Sequence, residues 1–178
     1  LLIIQMMQVF TGIVKAEIHE DDEITLLGDH ECDSLAEYYM DDYDRWSYKI
    51  VYYVYYNDDG KMYPAFCVEP AKQGVGTGYD QYNATIKNIE NMYSNGNERL
   101  NQIWRILMKG YMGRSYQSWD FECDDDLYSA TKIAIHSYKQ NINPKEKYRL
   151  GDREVDGNSI EEVRRRGKKV LDVAENQI

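Results

Sequence analysis

The groups in this chain most able to do chemistry are its three cysteines, Cys32, Cys67 and Cys123. Their spacing fits no zinc pattern and contains no C-x-x-C, so neither a zinc finger nor a thioredoxin-type couple is indicated. Cys67 stands in Tyr63-Pro64-Ala65-Phe66-Cys67-Val68-Glu69-Pro70, at the end of an apolar run and ahead of a glycine-rich stretch. A thiol there acts as a nucleophile when a base lies within reach, and His136 is a candidate base. A Cys67–His136 pair would make a secreted cysteine hydrolase. It requires hydrogen-bond contact and a third group to orient the imidazole, and no Q-A-C or C-G-S-C signature surrounds Cys67. A lone histidine on a helix is more often structural. His19 and His30 fall in an acidic stretch and read as exposed.

Two further clusters invite a chemical reading. Gly74-Val75-Gly76-Thr77-Gly78 resembles a phosphate cradle, but no Lys-Ser or Lys-Thr pair follows, and a surface loop is expected. Asp124-Asp125-Asp126 offers carboxylates for a metal, yet consecutive carboxylates seldom converge on one ion. Acids at a helix start, matching the positive end of its dipole, are the better reading. No metal site and no cofactor are expected. Cys32 and Cys123 form a possible disulfide if the chain is exported, although nothing local supports the pairing.

The elements that must position these residues divide the chain. The first half reads as strands: residues 23–28, then 46–56, with Tyr48, Ile50, Tyr52, Val54 and Tyr56 on one face and Val51, Tyr53 and Tyr55 on the other. Asn57-Asp58-Asp59-Gly60 reads as a hairpin turn. The return strand, 61–68, puts Met62, Phe66 and Val68 on one face and Tyr63, Ala65 and Cys67 on the other. Pro64 lacks a donor and marks an edge or a bulge. Residues 82–93 read as a weak helix containing the Asn83-Ala84-Thr85 sequon. Stronger helical stripes follow: Leu100, Ile103, Trp104, Leu107, Met108 and Tyr111, then Leu127, Thr131, Ala134 and Tyr138. A final helix opens on a capping box, Ser159 with Glu162, and continues through Ile160, Val163, Gly167, Val170, Leu171 and Ala174. Strands before helices give an α+β fold, with a β-sandwich or barrel lobe followed by a helical lobe.

At the start, Leu1-Leu2-Ile3-Ile4 opens an apolar run that meets Val14-Lys15-Ala16, which has the form of a signal-peptidase site. We expect residues 1–16 to be a signal-peptide remnant and 17–178 to be one domain, truncated at its C-terminal end. The run is too short to cross a membrane. The chain has 178 residues, 31 acidic against 21 basic, for a net charge of −10. That balance argues against nucleic acid or an anionic membrane as the main partner, since both need a basic footprint. The 17 tyrosines, against 3 tryptophans and 3 phenylalanines, suit strand faces or a wet recognition surface.

Two segments carry a resemblance. One is Tyr63 to Pro70 with the glycine stretch and Gly78-Tyr79. The other is Ile103-Trp104-Arg105-Ile106-Leu107-Met108-Lys109-Gly110-Tyr111, an acidic spacer, and Tyr128-Ser129-Ala130-Thr131-Lys132-Ile133-Ala134-Ile135-His136. In this order they resemble the thioester domain, or TQxA domain, of Gram-positive surface adhesins, over residues 46–140. That family has an aromatic-Cys-apolar strand end, a Gly-Tyr helix end and a Thr-Gln-x-Ala-Ile-Trp helix start. The resemblance implies a Cys thiol and a Gln side chain condensed with loss of ammonia. The resulting thioester is opened once by a host nucleophile, typically a lysine amine, so the chemistry is attachment and not turnover, and the chain is not an enzyme.

Residue by residue, Cys67 takes the thioester cysteine position, Thr131 and Ala134 keep their motif places, Lys132 stands where the Gln belongs and His136 where the Trp belongs. Lysine has no acyl carbon, so the resemblance implies a domain without the usual bond, binding non-covalently. Gln140 or Gln73 as another acyl donor, an oxidative link from Cys67 to Lys132, and an isopeptide from Lys132 to an acid are the remaining options. Cys67 and Lys132 are expected to meet where the lobes join. The implied setting is a secreted protein attached to the bacterial surface or wall, with a host surface or matrix protein, or a glycan, as partner.

Overall fold

The computed structural model describes residues 23–32, 36–40, 45–47, 50–56, 60, 62–68, 81–85, 98–151, 154 and 157–178. The leader expected at 1–16, His19, the glycine stretch 74–78 and Gln73 lie outside the described residues. The fold is α+β. Among the described residues six strands precede the helices: β1 (Glu23–Cys32), β2 (Ala36–Met40), β3 (Arg45–Ser47), β4 (Ile50–Tyr56), β5 (Met62–Ala65) and β6 (Gln81–Thr85). Then come α1 (Glu98–Lys109), a short 3-10 turn (Tyr116–Trp119), α2 (Asp124–Gln140), α3 (Pro144–Lys147), β7 (Tyr148–Leu150) and α4 (Ile160–Gln177).

A four-stranded antiparallel sheet runs β5-β4-β1-β6, and a three-stranded one runs β3-β2-β7. Strand β7 comes from the helical half, so the two lobes are laced together. β4 and β5 form the expected hairpin, with Gly60 at φ 73°, where a Cβ would be strained. Pro64 sits on the outer strand of the sheet, where a missing donor costs nothing. The expected faces hold: Ile50, Phe66 and Val68 join the core under the helices, while Tyr53, Tyr55, Ala65 and Cys67 pack with Leu26 on the other side. Met62, on the same face as Phe66 and Val68, is exposed at the start of β5.

Two expectations need correction. The run 46–56 is not one strand: Arg45–Ser47 belongs to the small sheet and Ile50–Tyr56 to the large one. Alternating aromatics look alike in either sheet, so the change of partner leaves no local mark. Of the weak helix expected over 82–93, residues 82–85 belong instead to strand β6, paired with β1 from Glu23 to Leu27, and 86–93 lie outside the described residues. Pairing with the free edge of β1 outweighs a weak helical pattern.

β1 also carries an irregularity. Gly28 pairs with Tyr53 and His30 with Tyr52, so Asp29 is an extra residue, a bulge. One extra residue turns every later side chain to the opposite face. Cys32 therefore lies in the core under the helices with Ile50, while Leu26 packs on the far side.

Helix α2 is the centre of that core. Leu127, Ala130, Ile133, Ala134 and Ile135 are fully buried along it. Its first turn holds the three aspartates, with Cys123 as N-cap. Asp126 is buried and paired at 3.0 Å with Arg166 of α4, which ties the two helices. α4 starts as expected, with Ser159 Oγ accepting from the Glu162 N–H at 3.3 Å. Val163, Val170, Leu171 and Ala174 form its buried stripe, while Ile160 and, on α1, Met108 are exposed.

Candidate thioester-type site

The ladder between β4 and β5 stops at Tyr53 and Ala65, although the apolar alternation continues to Val68. Helix α2 explains the stop. The Tyr128 hydroxyl accepts from the Tyr53 N–H at 3.1 Å and donates to the Ala65 carbonyl at 2.6 Å. It stands between two groups that an antiparallel pair would bond to each other. Continued by two residues, the register would set Val51 against Cys67. In place of that continuation, Lys132 Nζ donates to the Val51 carbonyl at 3.0 Å, and His136 Nε2 donates to the Cys67 carbonyl at 2.7 Å. Tyr128, Lys132 and His136 are spaced by four, so they share one helical face. That face fills the fork where the strands part.

Cys67 is therefore held at the fork by its own backbone, with its side chain buried on the Tyr53 side. Lys132 is 7% exposed, and its Nζ lies 3.9 Å from the centre of the Tyr53 ring. It is not the solvated helix lysine that its type suggests. Burial lowers the Lys132 pKa to about 8, and negative charge at Cys67 and then Cys32 opposes that fall. Burial also pushes Tyr53 up to about 12, with Cys67 adding to the rise. Tyr128 is pushed well above its usual range by complete burial.

The other motif residues are placed as supports. The Tyr111 N–H donates to Thr131 Oγ1 at 3.0 Å, and Thr131 in turn donates to the Leu127 carbonyl at 2.8 Å. A Cβ on Gly110 would stand 2.2 Å from Thr131 Oγ1, so only glycine lets α1 end this close to α2. The Tyr111 hydroxyl meets that of Tyr52 at 2.7 Å, tying the same corner to β4. Ala134 is fully buried. Gln140 is exposed in the last turn of α2.

The structure brings His136 to Cys67, but to its carbonyl oxygen. A carbonyl only accepts, so Nε2 carries the proton there and is not placed to take one from the thiol. Cys32, Cys67 and Cys123 are in no disulfide, so the structure does not form the Cys32–Cys123 bridge. His30, read as exposed, is only partly so: it stacks on Tyr52 and bonds Asp125 at 3.0 Å. Sequence reasoning missed Tyr128 as the wedge. Its signal was its place four residues before Lys132.

Among the described residues, no helix is long and apolar enough to cross a membrane. No curated protein matches the chain. Among solved structures it is similar to the thioester domain of the Enterococcus faecium TIE86 protein, at 11% identity and a TM-score of 0.49, covering 91% of this chain and 53% of that one. It is also similar to the Bacillus anthracis TIE protein, at 14% identity and a TM-score of 0.46, covering 86% and 24%. The chain thus spans about half of the first of these and a quarter of the second. The family model for the thioester domain matches residues 64–175, the stretch that contains Cys67, the Gly110-Tyr111 corner and all of α2, and this chain belongs to the thioester-domain family.

Proposed function

We propose that this domain is a surface interaction module of the thioester class in which the internal bond is absent and contact with a host is non-covalent. The observation that carries this is the buried Lys132 amine at the fork beside Cys67, at the position we assign to the motif Gln. A thioester needs an acyl carbon at that place, and lysine supplies none. The position of His136 Nε2 on the Cys67 carbonyl favours an interaction module over a cysteine hydrolase built on Cys67 and His136. We further infer export behind a leader ending at Ala16, with residues 17–178 displayed at the bacterial surface and a host protein or glycan as partner. The acidic balance of 31 against 21 supports a protein or glycan over nucleic acid. The tyrosines contribute less to such a surface than their number suggests, because Tyr53, Tyr55, Tyr128 and Tyr148 are buried.

The test is Lys132→Gln. A fork that retains the geometry of its family closes the bond to Cys67, and the variant is one ammonia lighter than calculated, regaining that mass with methylamine. A variant of full mass with a freely alkylated Cys67 would show that position 132 is not the acyl-donor position.

A further inference from the structure

Away from the fork, the bulge at Asp29 aims a second group of side chains at the start of α2. His30 Nε2, Cys32 Sγ and a carboxylate oxygen of Asp125 all lie within 4.8 Å of one another. We propose that these three residues bind one divalent cation of the zinc type, a site separate from Cys67 and independent of the reading above.

Four observations support it. The donor set is one imidazole, one thiolate and one carboxylate, which suits zinc and its neighbours and not the all-oxygen shells of calcium or magnesium. The thiolate and carboxylate neutralise a divalent ion, so the buried end of the site carries no net charge. His30 Nδ1 contacts Asp29 at 2.8 Å while Nε2 contacts Asp125 at 3.0 Å. A neutral imidazole has one N–H, so a carboxylate at each nitrogen requires a second positive partner, a proton or a metal. With the metal at Nε2, Asp29 becomes the outer carboxylate that orients a ligating histidine. Finally, Ser129 Oγ is fully buried without a hydrogen-bond partner, and it eases only in part the burial that pushes the Cys32 thiol up to about 12, so the thiolate at this place calls for a cation beside it.

The geometry needs little movement. Ligand atoms on a tetrahedral zinc are roughly 3.5 Å apart. His30 and Asp125 are already closer than that, and Cys32 needs only a shift toward them. Cys32 closes the inner side, while His30, 43% exposed, leaves the outer side open for a water or a fourth ligand. The positive end of α2 opposes a cation, and Asp124 and Asp125 offset it. On binding, the Cys32 thiol and the Nε2–H group each release a proton to solvent, sulfur and nitrogen keeping the electron pairs that bond the metal.

The experiment is titration of the purified full chain with Co2+ alone, followed by Zn2+ competition. One equivalent of Co2+ is expected to give a near-ultraviolet thiolate band, which Zn2+ abolishes. Cys32→Ser removes the band, and Asp125→Asn, at a partly exposed position, weakens binding at least tenfold while leaving the circular dichroism unchanged. Absence of the band, or a band that persists in Cys32→Ser, overturns the site. If Cys32→Ser does not fold, Asp125→Asn decides: an unchanged affinity for Co2+ overturns the proposal.

Discussion

Lys132 Nζ occupies the Val51 carbonyl that the Cys67 N–H would meet if the β4–β5 ladder ran two residues further. The lysine thus acts as a piece of the sheet. In the proposed reading this is the point at which the motif glutamine would stand. Here the same fork is held open by three side chains from one helical face: the Tyr128 hydroxyl, the Lys132 amine and the His136 imidazole. Each satisfies backbone groups that would otherwise be buried without partners.

The Tyr128 hydroxyl bonds both strands while its ring stacks on Phe66, with centroids 4.5 Å apart. Tyr128→Phe keeps the ring and removes the bridge, leaving the Tyr53 N–H and the Ala65 carbonyl short of a partner. A loss of about 2 kcal/mol in urea unfolding is expected. An unchanged midpoint would mean that the two strands close directly and that the hydroxyl is not a wedge.

Lys132 makes stability depend on pH in a set direction. Its pKa falls from 10.5 to about 8 on folding, so between those values the unfolded chain binds more protons. This group's contribution is fully present above 10.5 and is lost as pH falls through about 8. Lys132→Met removes the effect, whatever its absolute stability. The stability of the variant minus that of the wild type is therefore expected to drop by an amount on the order of 3 kcal/mol as pH rises across that window. Urea unfolding at both ends of the window measures it. A constant difference would mean that Lys132 is solvated and not held in the fork.

The parts of the fold written in local periodicity were legible. The stripes of α1, α2 and α4, the two faces of β4 and β5, and the turn at Gly60 all follow from spacing alone. Gly110-Tyr111 and Thr131, read from sequence as motif residues, come together at one corner, where a close approach of two helices demands glycine. What failed depended on distant partners. β6 is a strand only because β1 has an edge to fill, and β3 separates from β4 only because β2 lies elsewhere. The burial of Lys132 is not written in its own neighbourhood, because it is decided by a gap in a ladder 81 positions away. His30 reads as exposed because one extra residue at Asp29 turns it toward α2, and nothing in its own neighbourhood reports that.

The claim on which the account rests is that Cys67 carries no acyl bond. Intact mass of the purified chain, with and without methylamine and a thiol-alkylating reagent under denaturing conditions, tests it most directly. The account predicts the full calculated mass, no change with methylamine, and alkylation of Cys67 with no prior treatment. A mass one ammonia lighter, with Cys67 protected until methylamine opens it, would contradict it and make the domain a covalent adhesin through some other amide.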